Sequence, residues 1–207
     1  MAQENLHKGQ LEPLIDAARL GDGEALGQLL IIFRRYLIFL ARTQLHQHMQ
    51  AKADPSDLAQ EACLAAHGCI GDFEGSTLEE FTGWLRGILS NVVAMHLRNY
   101  LGTQKRDPRL EQRISNSLTN VSKFLQSELA GDFTSPSGHF ARNESFLRLA
   151  EALEDLPEDY RTVITLRNIE GLRFSEIATQ MDKSVNSVEK MWVRALSKLR
   201  DKIGHAE

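Results

Sequence analysis

Between Val185 and Ile203, the Ser187 hydroxyl, the Lys190 and Lys198 ammonium groups, the Arg194 guanidinium and the Met191 thioether fall on one side of a helix, with no acidic residue among them. Cations at that spacing can take phosphate oxygens or guanine edges, and a small hydroxyl permits close approach to bases. The same stripe also suits the solvated face of an amphipathic helix, so its meaning depends on what precedes it. A second set lies upstream. Asp54, Asp57, Gln60 and Glu61 put carboxylates and an amide at a helix start, which makes either an acidic docking face or an ordinary capped first turn. In a third set, Trp84, Asn91, Arg98 and Lys105 recur every seven residues, with Arg106, Arg109 and Arg113 beyond them. A nearly straight polar stripe of that kind can follow the backbone of melted DNA while an aromatic offers a stacking surface. Trp84 also suits a plain core position.

Helical periodicity dominates the elements that would carry these sets, and alternating strand patterns are absent. Leu11, Leu14, Ile15 and Ala18 predict a short helix ended by Gly21-Asp22-Gly23. Leu26, Leu29, Leu30, Phe33, Leu37 and Leu40 line one face of a long one. Asp54 caps and Pro55 opens the next, with Leu58, Ala62, Ala65 and Cys69 on its inner side. Thr77-Leu78-Glu79-Glu80 resembles a capping box ahead of Phe81, Leu85, Ile88, Leu89 and Val92. Residues 107–143 are rich in Ser, Thr, Asn and Gly and read as a linker, with at most one transient helix near Val121–Leu129. Downstream, Pro157 opens a helix that Gly171 closes. A short helix over Phe174–Met181, the tight turn Asp182-Lys183-Ser184 and the helix to Ile203 follow in helix-turn-helix order. The expected fold is all-α: two small helical domains, 1–106 and 144–207, joined by a flexible linker, the second a helix-turn-helix.

The C-terminal residues resemble region 4 of bacterial sigma factors. They are Leu156-Pro157-Glu158-Asp159-Tyr160-Arg161, Leu166-Arg167, Gly171, Glu176-Ile177-Ala178, Ser187-Val188, Arg194-Ala195-Leu196 and Leu199-Arg200. Glu189 and Met191 depart from the basic or hydroxyl residues usual there. Upstream, Asp54, Asp57-Leu58 and Gln60-Glu61 resemble region 2.2, and Phe81, Trp84-Leu85, Ile88, Asn91 and Arg98 resemble regions 2.3 and 2.4. Met95 departs from the acidic residue often found there. Two such regions with no third between them resemble the extracytoplasmic-function group of the sigma-70 family.

The resemblance implies a transcription initiation factor that binds core RNA polymerase, through its largest and second-largest subunits, and promoter DNA. It also implies that an anti-sigma factor can be a partner. In that family the helix of Asp54, Asp57, Gln60 and Glu61 docks on a coiled coil of the largest subunit. Phe73, Glu74 and Ser76 then line the loop that holds an extruded base, where a pocket must repay the cost of unstacking. Asn91, Arg98, Lys105 and Arg106 face the melted −10 element, and Ser187, Lys190, Met191, Arg194 and Lys198 face the −35 element. Without the resemblance, 73–77 is a plain interhelical turn. The competing reading is a stand-alone helix-turn-helix regulator, which needs neither the docking face nor the melted-strand stripe.

The 207 residues carry a net charge of −4, unevenly spread: residues 84–113 hold six basic and two acidic residues, and so do residues 183–203. Local fields of this kind, rather than the total, steer a polyanion. Ordinary globular composition, 42 % hydrophobic and 25 % charged, excludes collagenous and wholly disordered classes. No apolar run approaches a membrane span and MAQENLHKGQ lacks an apolar signal core, so a cytoplasmic protein without membrane insertion is expected. Cys63 and Cys69, six apart on one helix, are expected to fill packing positions rather than pair. Seven histidines without ligand spacing, no glycine-rich phosphate loop and no nucleophile elbow leave no expected metal, cofactor or intrinsic catalytic activity.

Overall fold

The computed structural model describes residues 8–48, 53–100, 108–132 and 142–204. Among them every regular element is helical: α1 (Lys8–Arg19), α2 (Gly23–His48), α3 (Pro55–Cys69), α4 (Leu78–Tyr100), α5 (Pro108–Asp132), α6 (Arg142–Glu154), α7 (Glu158–Ile164), α8 (Phe174–Gln180) and α9 (Val185–Gly204). A single 3₁₀ turn, Ile70–Asp72, follows α3, and α7 runs on into a π-helical turn, Thr165–Ile169. The chain divides into two units, Met1–Leu147 and Arg148–Glu207, so the division falls inside α6.

In the first unit, Gly21 takes φ +99°, a left-handed conformation that glycine adopts without steric cost, and so ends α1. Asp22 Oδ1 then accepts from the backbone N–H groups of Glu24 and Ala25 at 2.9 and 3.1 Å, satisfying orphan donors at the start of α2. Of the periodic residues of α2, Leu26, Leu29, Phe33, Leu37 and Leu40 are buried and Leu30 is half-buried; Tyr36, Phe39 and Ala41 are buried with them. Leu11, Ile15 and Ala18 of α1 and Phe81, Leu85, Leu89 and Val92 of α4 complete the core. The inner face of α3 is Leu58, Ala59, Ala62 and Ala66. Ala65, expected inside, is exposed: the buried side runs 58–62–66, in steps of four, so the residue before Ala66 turns outward. Cys63 and Cys69 are half-buried free thiols.

The reading of residues 107–143 as linker is corrected over 108–132. Pro108–Asp132 is one continuous helix, and Ile114, Leu118, Val121 and Leu125 are fully buried along it. Polar pairs bind α5 to its neighbours. Gln44 Nε2 donates to Ser117 Oγ at 2.8 Å. Tyr36 Oη and Arg86 Nη1 donate to Ser122 Oγ at 3.2 and 2.7 Å. The serines and asparagines that suggested a loop occupy the exposed side of this helix or these polar junctions. Residues 133–141 lie outside the described residues.

In the second unit, Leu156, Val163, Ile164, Leu166, Ile177, Ala178, Val188, Ala195 and Leu199 form the core. The Trp192 indole N–H donates to Asn168 Oδ1 at 2.9 Å. Arg167 lies 4.5 Å over the Phe174 ring, and Phe174 meets Trp192 edge to face. The π turn thus places two consecutive side chains, Arg167 and Asn168, against α8 and α9. Asp182 takes φ +51° in the turn between α8 and α9, a left-handed position that aspartate tolerates better than most residues.

Candidate nucleic-acid and polymerase interfaces

The start of α3 matches its expected chemistry in part. Asp54 is the N-cap: its Oδ1 accepts from the Ser56 N–H at 2.7 Å, while Pro55 fills the first position, where no N–H is needed. Asp57, in the first turn, and Gln60, one turn on, are exposed. Glu61 is half-buried, its Oε2 2.8 Å from His96 Nε2, so it ties α3 to α4. Arg34 of α2 donates to Ser56 Oγ at 2.9 Å from the other side. The open part of the acidic set is therefore Asp57 with Gln60.

The loop 73–77 is ordered from both sides. Phe73 is only 6 % exposed. Its ring meets Phe81 edge to face at 5.7 Å and lies 5.1 Å from Trp84. The ring packs into the core and holds the loop down. Glu74 and Ser76 are exposed. The capping box read at Thr77–Glu80 is present. The Glu80 carboxylate accepts from the Ser76 and Thr77 N–H groups at 3.0 Å and from the Thr77 hydroxyl at 2.8 Å, and the Glu80 N–H donates back to Thr77 Oγ1 at 3.2 Å. Those donors, the Ser76 N–H foremost, hold the Glu80 pKa below the usual carboxylate value. Gly75 is the residue that sequence reasoning missed. A Cβ there would come 2.5 Å from the Phe73 ring and 2.8 Å from Glu80 Cβ, so the loop closes over Phe73 only without a side chain. Its signal in the sequence was a glycine between an aromatic and a capping box.

Along α4 the described part of the stripe runs from Trp84 to Arg98, and both of these residues are partly covered. Trp84 is half-buried against Phe73 and Phe81, which places it in the packing. Asn91 is exposed, as are Met95 and Asn99 beside it. Arg98 is largely buried, its Nη1 2.7 Å from Glu111 Oε1 on α5. Lys105 and Arg106 lie outside the described residues.

The last helix presents its outer face more openly. Ser184 Oγ accepts from the Ser187 N–H at 3.2 Å and caps α9, with the Ser187 hydroxyl 2.9 Å away. Ser187, Lys190, Arg194 and Lys198 are exposed. Met191 is half-buried, and Lys198 Nζ sits 5.9 Å from the centre of the Tyr160 ring on α7. Both therefore belong to the flank of the helix. Directly opposite the buried Val188–Ala195–Leu199 stripe stand Asn186, Lys190, Val193 and Ser197, all exposed. Asn186, Val193 and Ser197 were passed over because they carry no charge, although helical phase alone would have found them.

Two family models match the chain: Sigma-70 region 2 over residues 32–100 and Sigma-70, region 4, over residues 146–199. The chain belongs to the sigma-70 family. The RNA polymerase sigma-H factor of Pseudomonas aeruginosa is 29 % identical over 191 residues, 92 % of either chain. The ECF RNA polymerase sigma-E factor of Haemophilus influenzae is 28 % identical over 194 residues, 93 % of this chain and 94 % of its own. That of Escherichia coli K12 is 27 % identical over 190 residues, 92 % of each. A solved RsbN–BldN complex aligns with 90 % of this chain and 97 % of its own at 21 % identity, with a TM-score of 0.32. This sigma factor is of the extracytoplasmic-function group and directs RNA polymerase to promoters. No described helix is long and apolar enough to cross a membrane. Residues 101–145, which include all of α5, lie outside both family models.

Proposed function

We propose that this sigma factor divides its work between three surfaces. Asp57 and Gln60, set by the Asp54 cap and by the Glu61–His96 tie, form the docking face for core polymerase and meet its largest subunit; other parts of the chain meet the second-largest. Asn91, Arg98, Lys105 and Arg106, with the loop residues Glu74 and Ser76, serve the melted −10 strand. Ser187, Lys190 and Arg194 enter the major groove of the −35 element, and Lys198 supports them from the flank. The protein acts in the cytoplasm, where polymerase and promoter meet.

The observation that carries this reading is the outer face of α9. In a helix-turn-helix the second helix lies in the groove, its early turns deepest. Here those turns offer an exposed ammonium and guanidinium on the side away from the core. Lys190 lies early enough to reach a base edge, whereas Lys198, two turns on and leaning over Tyr160, suits a phosphate.

Run-off transcription with purified core enzyme, with and without this protein, tests the whole. Asp57→Arg with Gln60→Arg should abolish co-elution with core, because reversing the Asp57 charge and adding a cation beside it at a close polar contact costs about 2–5 kcal/mol, while the circular dichroism spectrum stays unchanged. Lys190→Ala should weaken binding to cognate duplex by about 1–3 kcal/mol in holoenzyme. Lys198→Ala should weaken all sequences alike and lower the salt slope by about one. Equal, sequence-independent losses from both would remove the base-reading role of Lys190. Promoter binding that needs no core enzyme would favour a stand-alone regulator.

A further inference from the structure

We propose that Glu111 is an intramolecular competitor of DNA for Arg98, so that the first turn of α5 gates the α4 face. The inference rests on the reading of Arg98 as a contact to melted promoter DNA. The two side chains meet at 2.7 Å, Nη1 to Oε1, and expose only 23 % and 19 % of their surface. A carboxylate and a phosphate make the same demand on a guanidinium: paired anionic oxygens in its plane. Glu111 takes the Nη1 donor, and a DNA phosphate that approaches that donor must displace it.

The anatomy of α5 lets the exchange be local. From Ile114 onward the helix is anchored by Ile114, Leu118, Val121 and Leu125 and by the Ser117 and Ser122 hydrogen bonds to Gln44, Arg86 and Tyr36. The turn before it, Pro108–Arg113, contains no fully buried side chain. Moving Glu111 off Arg98 therefore leaves the apolar seam closed. The opening turn of a helix frays more readily than its middle, since its N–H groups have no intrahelical partners. Glu111 lies outside both stretches that match the family models, whereas Arg98 lies within the first.

The test uses the full chain and a fluorescein-labelled single-stranded DNA oligonucleotide of mixed sequence, followed by anisotropy at low salt. Glu111→Gln should tighten binding by about two- to fivefold, the range a partly exposed ion pair spans. Arg98→Gln should weaken it, and the double variant should bind like Arg98→Gln alone. If Glu111→Gln binds like wild type while Arg98→Gln is weakened, the gate fails and the DNA contact stands. If Arg98→Gln binds like wild type, the contact itself fails and the gate with it. An equal gain from Glu111→Gln in both backgrounds reports only the loss of a negative charge and overturns the gate. A measurement on the unmodified chain guards against variants that misfold. The Arg98 side-chain Nε–H resonance should move as the oligonucleotide is added, and a fixed resonance under saturating DNA overturns the proposal.

Discussion

Arg98 on α4 is held by Glu111, Glu61 on α3 is held by His96, and Phe73 is stacked into the core. On α9, Lys190 and Arg194 stand in solvent, with the buried Val188–Ala195–Leu199 stripe turned the other way. The two units thus offer their residues to a partner differently. The second has its candidate residues already open. In the first, several candidates already do structural work, so the proposed binding there would exchange one partner for another. Duplex DNA has a fixed groove that a rigid face can match, whereas a melted strand exists only once the complex has begun to open.

The largest effect that could break this comparison is at Phe73. If the ring is core, Phe73→Ala should destabilise the first unit by about 3 kcal/mol or more. If it only lines a base pocket, stability should stay within about 0.5 kcal/mol of wild type. The chain has two tryptophans, Trp84 and Trp192, one in each unit. Urea unfolding followed by fluorescence in a Trp192→Phe background therefore reports the first unit through Trp84.

A smaller effect sharpens the contrast between the two basic sets. Arg98→Ala should cost about 1–3 kcal/mol of stability, because it removes the 2.7 Å charged hydrogen bond to the part-buried Glu111 carboxylate. Lys190→Ala and Arg194→Ala should each stay within about 0.5 kcal/mol, since nothing in the fold leans on them. Thermal melts of the three variants side by side decide it. A loss at Lys190 equal to that at Arg98 would mean that α9 is no more free than α4.

The regular elements with strong apolar periodicity, α1 to α4 and α7 to α9, were legible because each buries one face and its spacing says which. The capping box at Thr77–Glu80 and the turn at Asp182 were legible because few residue types satisfy those backbones. Residues 108–132 misled, because Ser115, Asn116, Ser117, Thr119, Asn120 and Ser122 carry turn-like composition, whereas the stripe Ile114–Leu118–Val121–Leu125 is short and interrupted by polar residues. Composition speaks of loops, but a helix needs only one face in four to be apolar when hydroxyls such as Ser117 and Ser122 find partners on the neighbouring helices. The covered state of Arg98 and Glu61 was beyond the sequence for another reason. Their partners lie 13 and 35 residues away, and no periodicity connects elements that distant.

The smallest expected effect lies in the capping box itself. Glu80 is fully exposed, yet three donors converge on its carboxylate and lower its pKa, the Ser76 N–H contributing most. A carboxylate whose pKa is lower in the folded than in the unfolded chain binds its proton less readily when folded. Its contribution is therefore whole above the ordinary glutamate range and is lost as the pH falls through that range toward the lowered folded value. Glu80→Gln keeps a carbonyl acceptor for the loop but cannot change charge. The stability difference between wild type and Glu80→Gln should accordingly favour wild type near neutrality and shrink on acidification below the usual glutamate pKa. Urea midpoints of the first unit, taken at intervals from pH 7 down to pH 3 in the Trp192→Phe background, follow that difference. A gap that stays constant across the series would show that the loop is held by the shape of the cap rather than by its charge, and Gly75 with Phe73 would then be the residues that fix it.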